Sequence, residues 1–373
     1  MTGKRIRLGM VGGGQGAFIG AVHRIAARLD DQFSFVAGAL SSDPERANQS
    51  GLDLGLDPAR CYGSFEQMAK AEAARPDGID VVAIVTPNHM HFPAAKAFLQ
   101  AGIHVICDKP LTSTIEDARE LQALVKASGK LFIVTYNYSA YPMIRHARQK
   151  IANGDLGKIR LVQVEYAQDW LTENIESDGQ KQASWRTDPV KSGAGGCIGD
   201  IGTHAYQLAH FVSGLEVDAV SADLTSFVDG RQLDDNVQVM LRFQGGAKGS
   251  LWASQVAPGN ENGLRLRIYG EQGGLEWAQE QPNHLWYTPF GESKRLLTRG
   301  GAGVPEMPDL VRVPAGHPEG YLEGFANIYT QAAAAIRGDK GACFPDINDG
   351  MKGMEFISAC VLSANQSSRW IKV

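Results

Sequence analysis

The spacing of apolar and polar positions divides this chain into two stretches with different periods. Up to about residue 137, short apolar runs alternate with segments whose apolar positions recur at helical spacing. The runs are Ile6–Val11, Phe33–Leu40, Val81–Val85, His104–Cys107 and Leu131–Thr135. Val81–Val85 is rich in β-branched residues, as a strand buried on both faces would be. Helices are predicted over Ile19–Leu29, Asp43–Gly51, Ala94–Ala101 and Ile115–Ser128. Pro44 lies just inside one start, Ser113 or Thr114 caps another, and Gly102 and Gly129 act as stops. Such alternation implies a parallel sheet with right-handed crossovers.

Beyond Tyr138 the grammar changes. Ile159–Tyr166 reads as a strand, and Ile198–Val212 as a helix ending at Gly214. Strands then follow one another over Ala219–Val228, Val237–Phe243, Gly249–Val256, Leu264–Tyr269 and Leu275–Trp277. Every second residue is apolar in Val237, Val239, Leu241 and Phe243, and again in Leu264, Leu266 and Ile268, which predicts an antiparallel sheet with one covered face. Gly245-Gly246 and Gly273-Gly274 are placed at hairpin turns. The expected architecture is an α/β domain over 1–137 with a doubly wound parallel sheet. An α+β domain over 138–373 follows, with a large, mainly antiparallel, open-faced sheet. Trp252, Tyr269 and Trp277 would add apolar area to the open face. Either helices of the same chain cover it or a second subunit does, and a homodimer or homotetramer formed through this sheet is expected.

Composition modifies this picture slightly. Lysine and arginine number 36 against 41 acidic residues, a formal charge of −5, which opposes a nucleic-acid partner. Glycines cluster at Gly12–Gly16, Gly193–Gly196 and Gly300–Gly303 and mark loops. Five cysteines, an odd number without paired spacing, fit a reducing compartment and no zinc framework. No apolar run reaches the roughly 18 residues of a membrane-spanning helix. The first strand begins a few residues after Met1 and leaves no room for a signal peptide. No membrane partner is expected, and the expected location is the cytoplasm.

The first strand runs into Gly12-Gly13-Gly14-Gln15-Gly16-Ala17-Phe18-Ile19-Gly20. In a strand–turn–helix context one glycine permits the turn, one lets the backbone approach a pyrophosphate, and one lets helix pack on strand. The helix N-terminus offers free N–H groups to the phosphates. Gly12, Gly14, Gln15, Gly16, Phe18 and Ile19 are therefore candidate dinucleotide contacts in a Rossmann domain; a glycine-rich turn without a ligand is the plainer alternative. The second strand ends Ala39-Leu40-Ser41-Ser42-Asp43. NAD enzymes place an acid at this strand end, to bind the ribose 2′-hydroxyl. Ser41 stands there instead, and Asp43 comes two residues later. Ser41, Ser42 and Arg46 could receive the 2′-phosphate of NADP, and Asp43-Pro44 could simply cap a helix. The expected cofactor is NAD or NADP, with NAD favoured.

Three further segments complete a pattern: Thr86-Pro87-Asn88-His89-Met90-His91, Cys107-Asp108-Lys109-Pro110, and Gly195-Gly196-Cys197-Ile198-Gly199-Asp200-Ile201-Gly202-Thr203-His204. With the glycine loop, and in this order, they make nearly the whole chain resemble the Gfo/Idh/MocA family, the glucose–fructose oxidoreductase and inositol dehydrogenase relatives. Two features depart from the family pattern. Its loop reads G-x-G-x-x-G-x-x-H, which Gly12, Gly14, Gly20 and His23 match only with three residues inserted before Ile19-Gly20. Its Glu-Lys-Pro is here Asp108-Lys109-Pro110, with the carboxylate one methylene shorter. The resemblance implies that Thr86, Pro87, Asn88 and His91 lie along the cofactor's ribose and nicotinamide. It places Asp108 and Lys109 on the cofactor side as well, and it implies a cis Lys109-Pro110 bond that aims the lysine.

Oxidising a carbinol needs a base for the hydroxyl proton and a donor for the developing alkoxide. Asp200 and His204, spaced i, i+4 on a predicted helix, share a face. Histidine accepts protons near neutrality, and a lysine at the carboxyl end of a parallel strand can donate to a substrate oxygen. The resemblance assigns His204 as general acid/base, Asp200 as the group that orients substrate or histidine, and Lys109 as the group that polarises the reacting oxygen. Without it, Asp200 and His204 read as a helix-start pair and Lys109 as a solvated strand end. A metal site would need His210 as third ligand. It lies six residues beyond His204 on another helix face, and no metal is expected. Asn137, Tyr138, Trp170, Trp185 and Arg186 are substrate-binding candidates alongside Lys109, Asp200 and His204. Tyr136 and Gln168 lie near them in sequence, and His317 could reach in from a late loop. Aromatic faces with amide or guanidinium groups suit a polyhydroxylated ring. The expected reaction interconverts a secondary alcohol and a ketone on a sugar or cyclic polyol. The alternatives are an NAD-dependent glycosidase acting by transient oxidation, and a non-catalytic NAD(P)-binding sensor that would need neither Lys109 nor His204.

Overall fold

Five apolar runs pair as one parallel sheet in the computed structural model, which describes residues 4–373. They are β1 (Ile6–Gly12), β2 (Phe33–Ala39), β3 (Val81–Val85), β4 (His104–Cys107) and β5 (Phe132–Val134), in the order β2-β1-β3-β4-β5. β3 takes the centre and is buried at every residue, as its β-branched sequence requires. Helices α1 (Phe18–Leu29), α2 (Pro44–Asp53), α3 (Phe65–Ala74), α4 (His91–Gln100) and α5 (Ile115–Ser128) lie between the strands in sequence. Asp43 caps α2 by accepting from the Arg46 amide, Thr114 caps α5, and Gly129 closes α5 at φ 64°. From β1 the chain runs out to β2 and then back to β3 on the other side, which opens the ligand crevice of such sheets at the carboxyl ends of β1 and β3.

The rest of the chain supplies α6 (Pro142–Ala152), β6 (Ile159–Ala167), the short α7 (Lys181–Arg186) and α8 (Pro189–Ser192), and α9 (Thr203–Ser213). Seven strands follow: β7 (Val217–Thr225), β8 (Asn236–Phe243), β9 (Lys248–Ser254), β10 (Gly263–Gly270), β11 (Gly273–Ala278), β12 (His284–Pro289) and β13 (Arg295–Thr298). The chain ends with α10 (Tyr321–Ile336), α11 (Ile347–Asn365) and β14 (Ile371–Lys372). Strands β6 to β14 form a nine-stranded sheet in the order β13-β12-β11-β10-β6-β9-β8-β7-β14. Its pairs are antiparallel except β6 with β9. The alternating apolar residues of β8 and β10 are buried, and α9 packs on β6, β9 and β10.

The opposite face of this sheet carries Leu161, Met240, Trp252, Tyr269 and Trp286, of which Leu161, Met240 and Trp286 are exposed. Trp277 is not on it. It pairs with Leu266 in the β10–β11 register and is buried on the helix-covered side. Gly245-Gly246 does form the β8–β9 turn, both residues having positive φ. Gly273-Gly274, by contrast, opens β11, and the β10–β11 turn is Glu271-Gln272. A Cβ on Gly274 would lie 2.7 Å from the Tyr269 ring, so the glycine leaves room for the aromatic side chain. A hollow of about 310 Å³ lies here, lined by Tyr269, Gly274, Trp286 and Phe290 among others.

The chain forms two compact units. One runs up to Asn137 and includes Tyr321–Met351; the other comprises Tyr138–Gly320 and Lys352–Val373. Residues 321–336 fall within the domain expected over 138–373, but α10 packs on α1 through an aromatic seam. Phe18 stacks on Tyr321 at 6.4 Å, Phe325 tilts against His23 at 5.1 Å, and Tyr329 meets Phe33 edge-on at 5.2 Å. Among the described residues no helix is long and apolar enough to cross a membrane.

Candidate functional site

In the first unit the glycine loop follows β1. Gly12, Gly13 and Gly16 adopt φ of 78°, 73° and 72°, a region other residues rarely enter. A Cβ on Gly12 would lie 2.8 Å from the Val85 carbonyl and 2.9 Å from Thr86 Cγ2. A Cβ on Gly13 would lie 2.8 Å from Gly20 Cα, and one on Gly20 would run into the Gly13 backbone. Gly20 is therefore the glycine that lets α1 pack on the turn after β1, displaced by the three-residue insertion. The Gly14 amide donates to the Leu40 carbonyl at 3.1 Å, and the Ala17 amide to the Gly14 carbonyl at 3.1 Å. Gln15 turns toward α2: its amide donates to Ser50 Oγ at 3.2 Å and its side chain to Asp53 at 2.7 Å. Ala17 gives α1 no side-chain cap, and Phe18 at the first turn is 67% exposed. Beside Gly12, the Thr86 hydroxyl is buried without a hydrogen-bond partner among the described residues. An uncapped helix start, a glycine cradle and an unpartnered hydroxyl fit the phosphate and ribose of a dinucleotide.

At the end of β2, Asp43 Oδ1 accepts from the Arg46 amide at 2.7 Å as the cap of α2, and Ser41 Oγ accepts from the Asp43 amide at 3.1 Å. Ser42 and Arg46 are exposed.

Two loops meet beneath the β3 and β4 ends. Pro87 leads into a short turn over Asn88–Met90, with Asn88 buried. His91 is fully buried, its Nδ1 2.9 Å from the Pro110 carbonyl and its Nε2 3.0 Å from the Thr86 carbonyl. Burial pushes this imidazole below its usual pKa, against the pull of Asp108. A neutral ring carries one N–H, so it donates to one of the two carbonyls. His91 thus ties the Thr86 loop to the turn that presents Lys109, whose bond to Pro110 is cis. Burial alone would raise the Asp108 carboxyl, but the charge and hydrogen bond of His23, with the Thr135 hydroxyl, hold it below the usual carboxylate value. The Asn137 amide donates to the Thr135 carbonyl at 2.9 Å, while Asn137 Nδ2 is buried with no partner among the described residues.

In the second unit Asp200 lies on a π-turn, Ile198–Gly202, that continues into α9. A plain α-helix over Ile198–Val212 is therefore not what forms; such π-segments recur at functional sites. One residue anchors the start. The Asp234 carbonyl accepts from the Cys197 amide at 2.8 Å, and its two carboxylate oxygens accept from Gly196 and Ile198 at 2.7 and 2.8 Å. Burial pushes the Asp234 carboxyl up to about 6 in spite of these amides. Asp200 in turn receives Gln255 Nε2 at 2.9 Å and pairs with Arg186 Nε at 3.2 Å. The Arg186 guanidinium lies 4.3 Å over the Trp185 ring and 6.0 Å from the Trp170 ring centre.

His204 is 8% exposed and meets the Tyr138 ring edge-on at 4.9 Å. Tyr138 begins a chain of polar contacts. Its hydroxyl is 2.7 Å from that of Tyr166, which donates to Asn262 Oδ1 at 2.7 Å. Gln168 also donates to Asn262, and Trp170 Nε1 to Gln168, each at 3.0 Å. Asp200, His204, Tyr138, Trp170, Trp185 and Arg186 are thus linked within one unit. His210 is not among them: its ring bonds the Leu215 carbonyl at 3.0 Å and approaches Lys352 and Glu216. His317 has an exposed side chain, and its carbonyl accepts from the buried Arg299, which fixes this loop together with Asn283 and Glu319. Among the described residues no contact joins the His317 ring to Asp200 or His204. Sequence reasoning missed Tyr166, Gln255, Asn262 and Asp234. Tyr166 carried a signal, a polar-tipped residue at a strand's carboxyl end. Asn262 and Gln255 lie 96 and 55 positions from their partners and carried none.

Residues 6–136 match the model of the oxidoreductase family with an NAD-binding Rossmann fold, and residues 144–276 that of the GFO/IDH/MocA C-terminal domain. An oxidoreductase from Sinorhizobium meliloti is 59% identical, with a TM-score of 0.91 over 99% of this chain and 100% of its own. An inositol dehydrogenase homolog from Azotobacter vinelandii, complexed with NADH and myo-inositol, is 36% identical. Its TM-score is 0.93 over 99% of this chain and 98% of its own. The levoglucosan dehydrogenase of Pseudarthrobacter phenanthrenivorans is 31% identical over 76% of each chain.

Proposed function

The chain belongs to the Gfo/Idh/MocA family of NAD-binding oxidoreductases, and we propose that it interconverts a secondary alcohol and a ketone on a sugar or cyclic polyol. The reading is carried by the Asp200–Arg186–Gln255 group, set beside His204 and rimmed by Trp170, Trp185 and Tyr138. Aromatic faces suit the C–H faces of a polyhydroxylated ring, and the charged and amide groups suit its hydroxyls. Relatives that act on or bind levoglucosan and myo-inositol point to the same substrate class.

In this proposal His204 takes the hydroxyl proton, Lys109 donates to the reacting oxygen, and Asp200 orients substrate or histidine. Bound NAD would supply the hydride acceptor. Thr86, Pro87 and Asn88 would hold it together with the loop from Gly12 to Ile19, while His91 and Asp108, engaged with Thr86, Pro110, His23 and Thr135, support these loops from behind. Asn137 and Arg186 contact substrate hydroxyls. The open face of the nine-stranded sheet is proposed as the surface through which copies of the chain associate.

A panel of inositols, aldoses, anhydrosugars and glycosides with NAD and NADP, followed by nicotinamide absorbance, tests the reading. Reduction of the nicotinamide with a cyclic polyol or pyranose is expected. Activity confined to alcohols without a hydroxylated ring would overturn it. Release of aglycone from glycosides with no net absorbance change would replace it with glycoside cleavage by transient oxidation. Lys109→Ala and His204→Ala should each lower turnover at least about a hundredfold with cofactor binding largely retained.

A further inference from the structure

We propose that His23 and Tyr329 are positioning residues for Lys109, acting through the Asp108 carboxylate; the inference rests on the reading of Lys109 as the group that polarises the substrate oxygen. His23 lies on the buried face of α1, where the other buried residues are Gly20, Val22, Ala26 and Ala27. It is fully buried between Phe325 and Tyr329. An apolar side chain would fill such a place without having to satisfy two ring nitrogens. Both nitrogens are met instead. Nδ1 is 2.8 Å from the Tyr329 hydroxyl, and Nε2 is 3.0 Å from Asp108 Oδ1. An ionised carboxylate only accepts, so Nε2 carries the proton of that bond. The Thr135 hydroxyl donates to the same oxygen at 2.6 Å.

The result is a buried polar line from α10 through α1 to the ends of β4 and β5. It terminates on the residue that precedes Lys109. The backbone there is held as well: the Asp108 amide donates to Ile84 at 3.1 Å, and the Thr135 amide to Cys107 at 3.0 Å. Side chain and main chain of Asp108 are therefore both fixed, and the chain leaves the strand toward Lys109 in one direction. The shorter acid at this position fits the line, since its oxygen already reaches both donors. The titratable groups around Asp108 are His23 from α1, His91 from α4, Tyr329 from α10 and the adjoining Cys107 and Lys109.

The test uses full-length protein with His23→Leu, His23→Gln and Tyr329→Phe. Competitive acetylation at one pH, read by mass spectrometry, gives the reactivity of Lys109 relative to the exposed Lys248. NADH affinity by fluorescence and the melting temperature report on folding. In His23→Leu the relative reactivity of Lys109 should change at least about threefold, because Thr135 alone then holds the Asp108 carboxylate and the turn to Lys109 is no longer fixed in one direction. NADH affinity should change by less than about threefold. Tyr329→Phe should change the Lys109 reactivity less, and His23→Gln, which keeps a donor and an acceptor, should restore most of it. With a substrate found by the panel above, kcat should fall about tenfold in His23→Leu with little change in KM. Unchanged Lys109 reactivity in the folded variants, Tyr329→Phe included, would overturn the proposal. Changed reactivity in a protein whose wild type oxidises no alcohol would uphold the positioning and sink the catalytic reading of Lys109.

Discussion

Two half-buried aspartates titrate in opposite directions, and their neighbours decide which. Asp108 receives an imidazole and a hydroxyl and is held below the usual value. Asp234 receives two backbone amides and faces the charge of Asp235, and burial prevails, pushing it up to about 6. The raised value means that the folded state binds the Asp234 proton more tightly than the unfolded chain does. The stabilisation from that proton is complete below the unfolded value near 4 and is lost as pH rises through about 6. Asp234→Asn cannot ionise. Denaturant unfolding at several pH values should show wild type losing stability relative to the variant between about pH 4 and pH 6, by a few kcal/mol at most. A constant difference across that window would mean that Asp234 titrates normally. None of this was legible in the sequence. Asp200 and His204 stood out by their spacing, but the Asp234 clamp is made 36 to 38 positions away, by a residue with no motif of its own.

At the scale of elements, what could be read depended on how much of the environment lies within the element. β3 is buried on both faces and announces itself; β8 and β10 alternate and do likewise. The π-turn at Ile198–Gly202 could not be read, because its start is held from outside the segment, by Asp234. The same holds for α10, whose own residues do not say that it meets α1. The glycine loop lies between these cases. Its context gave the turn, while only the structure assigns the packing role to Gly20. Gly20→Val should therefore push α1 off the Gly13 turn, costing about 1–3 kcal/mol as an overpacked contact, and should weaken NADH binding at least about tenfold. Gly55→Ala is the comparison: it too has positive φ, at 75°, but no neighbour near the added Cβ. It should cost about 1 kcal/mol and leave NADH affinity unchanged. Equal effects of the two on NADH affinity would remove the packing role of Gly20.

At the scale of the whole molecule, the period-two alternation foretold a sheet with one open face. It could not foretell that β6 inserts between β9 and β10, because β6 precedes α9 in the chain and pairs with strands about a hundred residues later. That insertion brings Leu161 onto the open face, opposite Tyr269, two strands away from the β8 strand that carries Met240. Leu161 is 47% exposed and Met240 55% exposed, and the register puts both on the same side as Trp252 and Trp286. If copies associate through this face by a two-fold axis, every substitution on it enters the interface twice. Leu161→Glu with Met240→Glu would then place four added carboxylates in one contact, each facing a desolvation cost of several kcal/mol. The wild-type chain should sediment as a dimer or larger species at micromolar concentration, and the double variant as a monomer with an unchanged far-ultraviolet circular dichroism spectrum. A monomeric wild type, or a variant whose sedimentation is unaltered, would assign the apolar residues of this face no role in association.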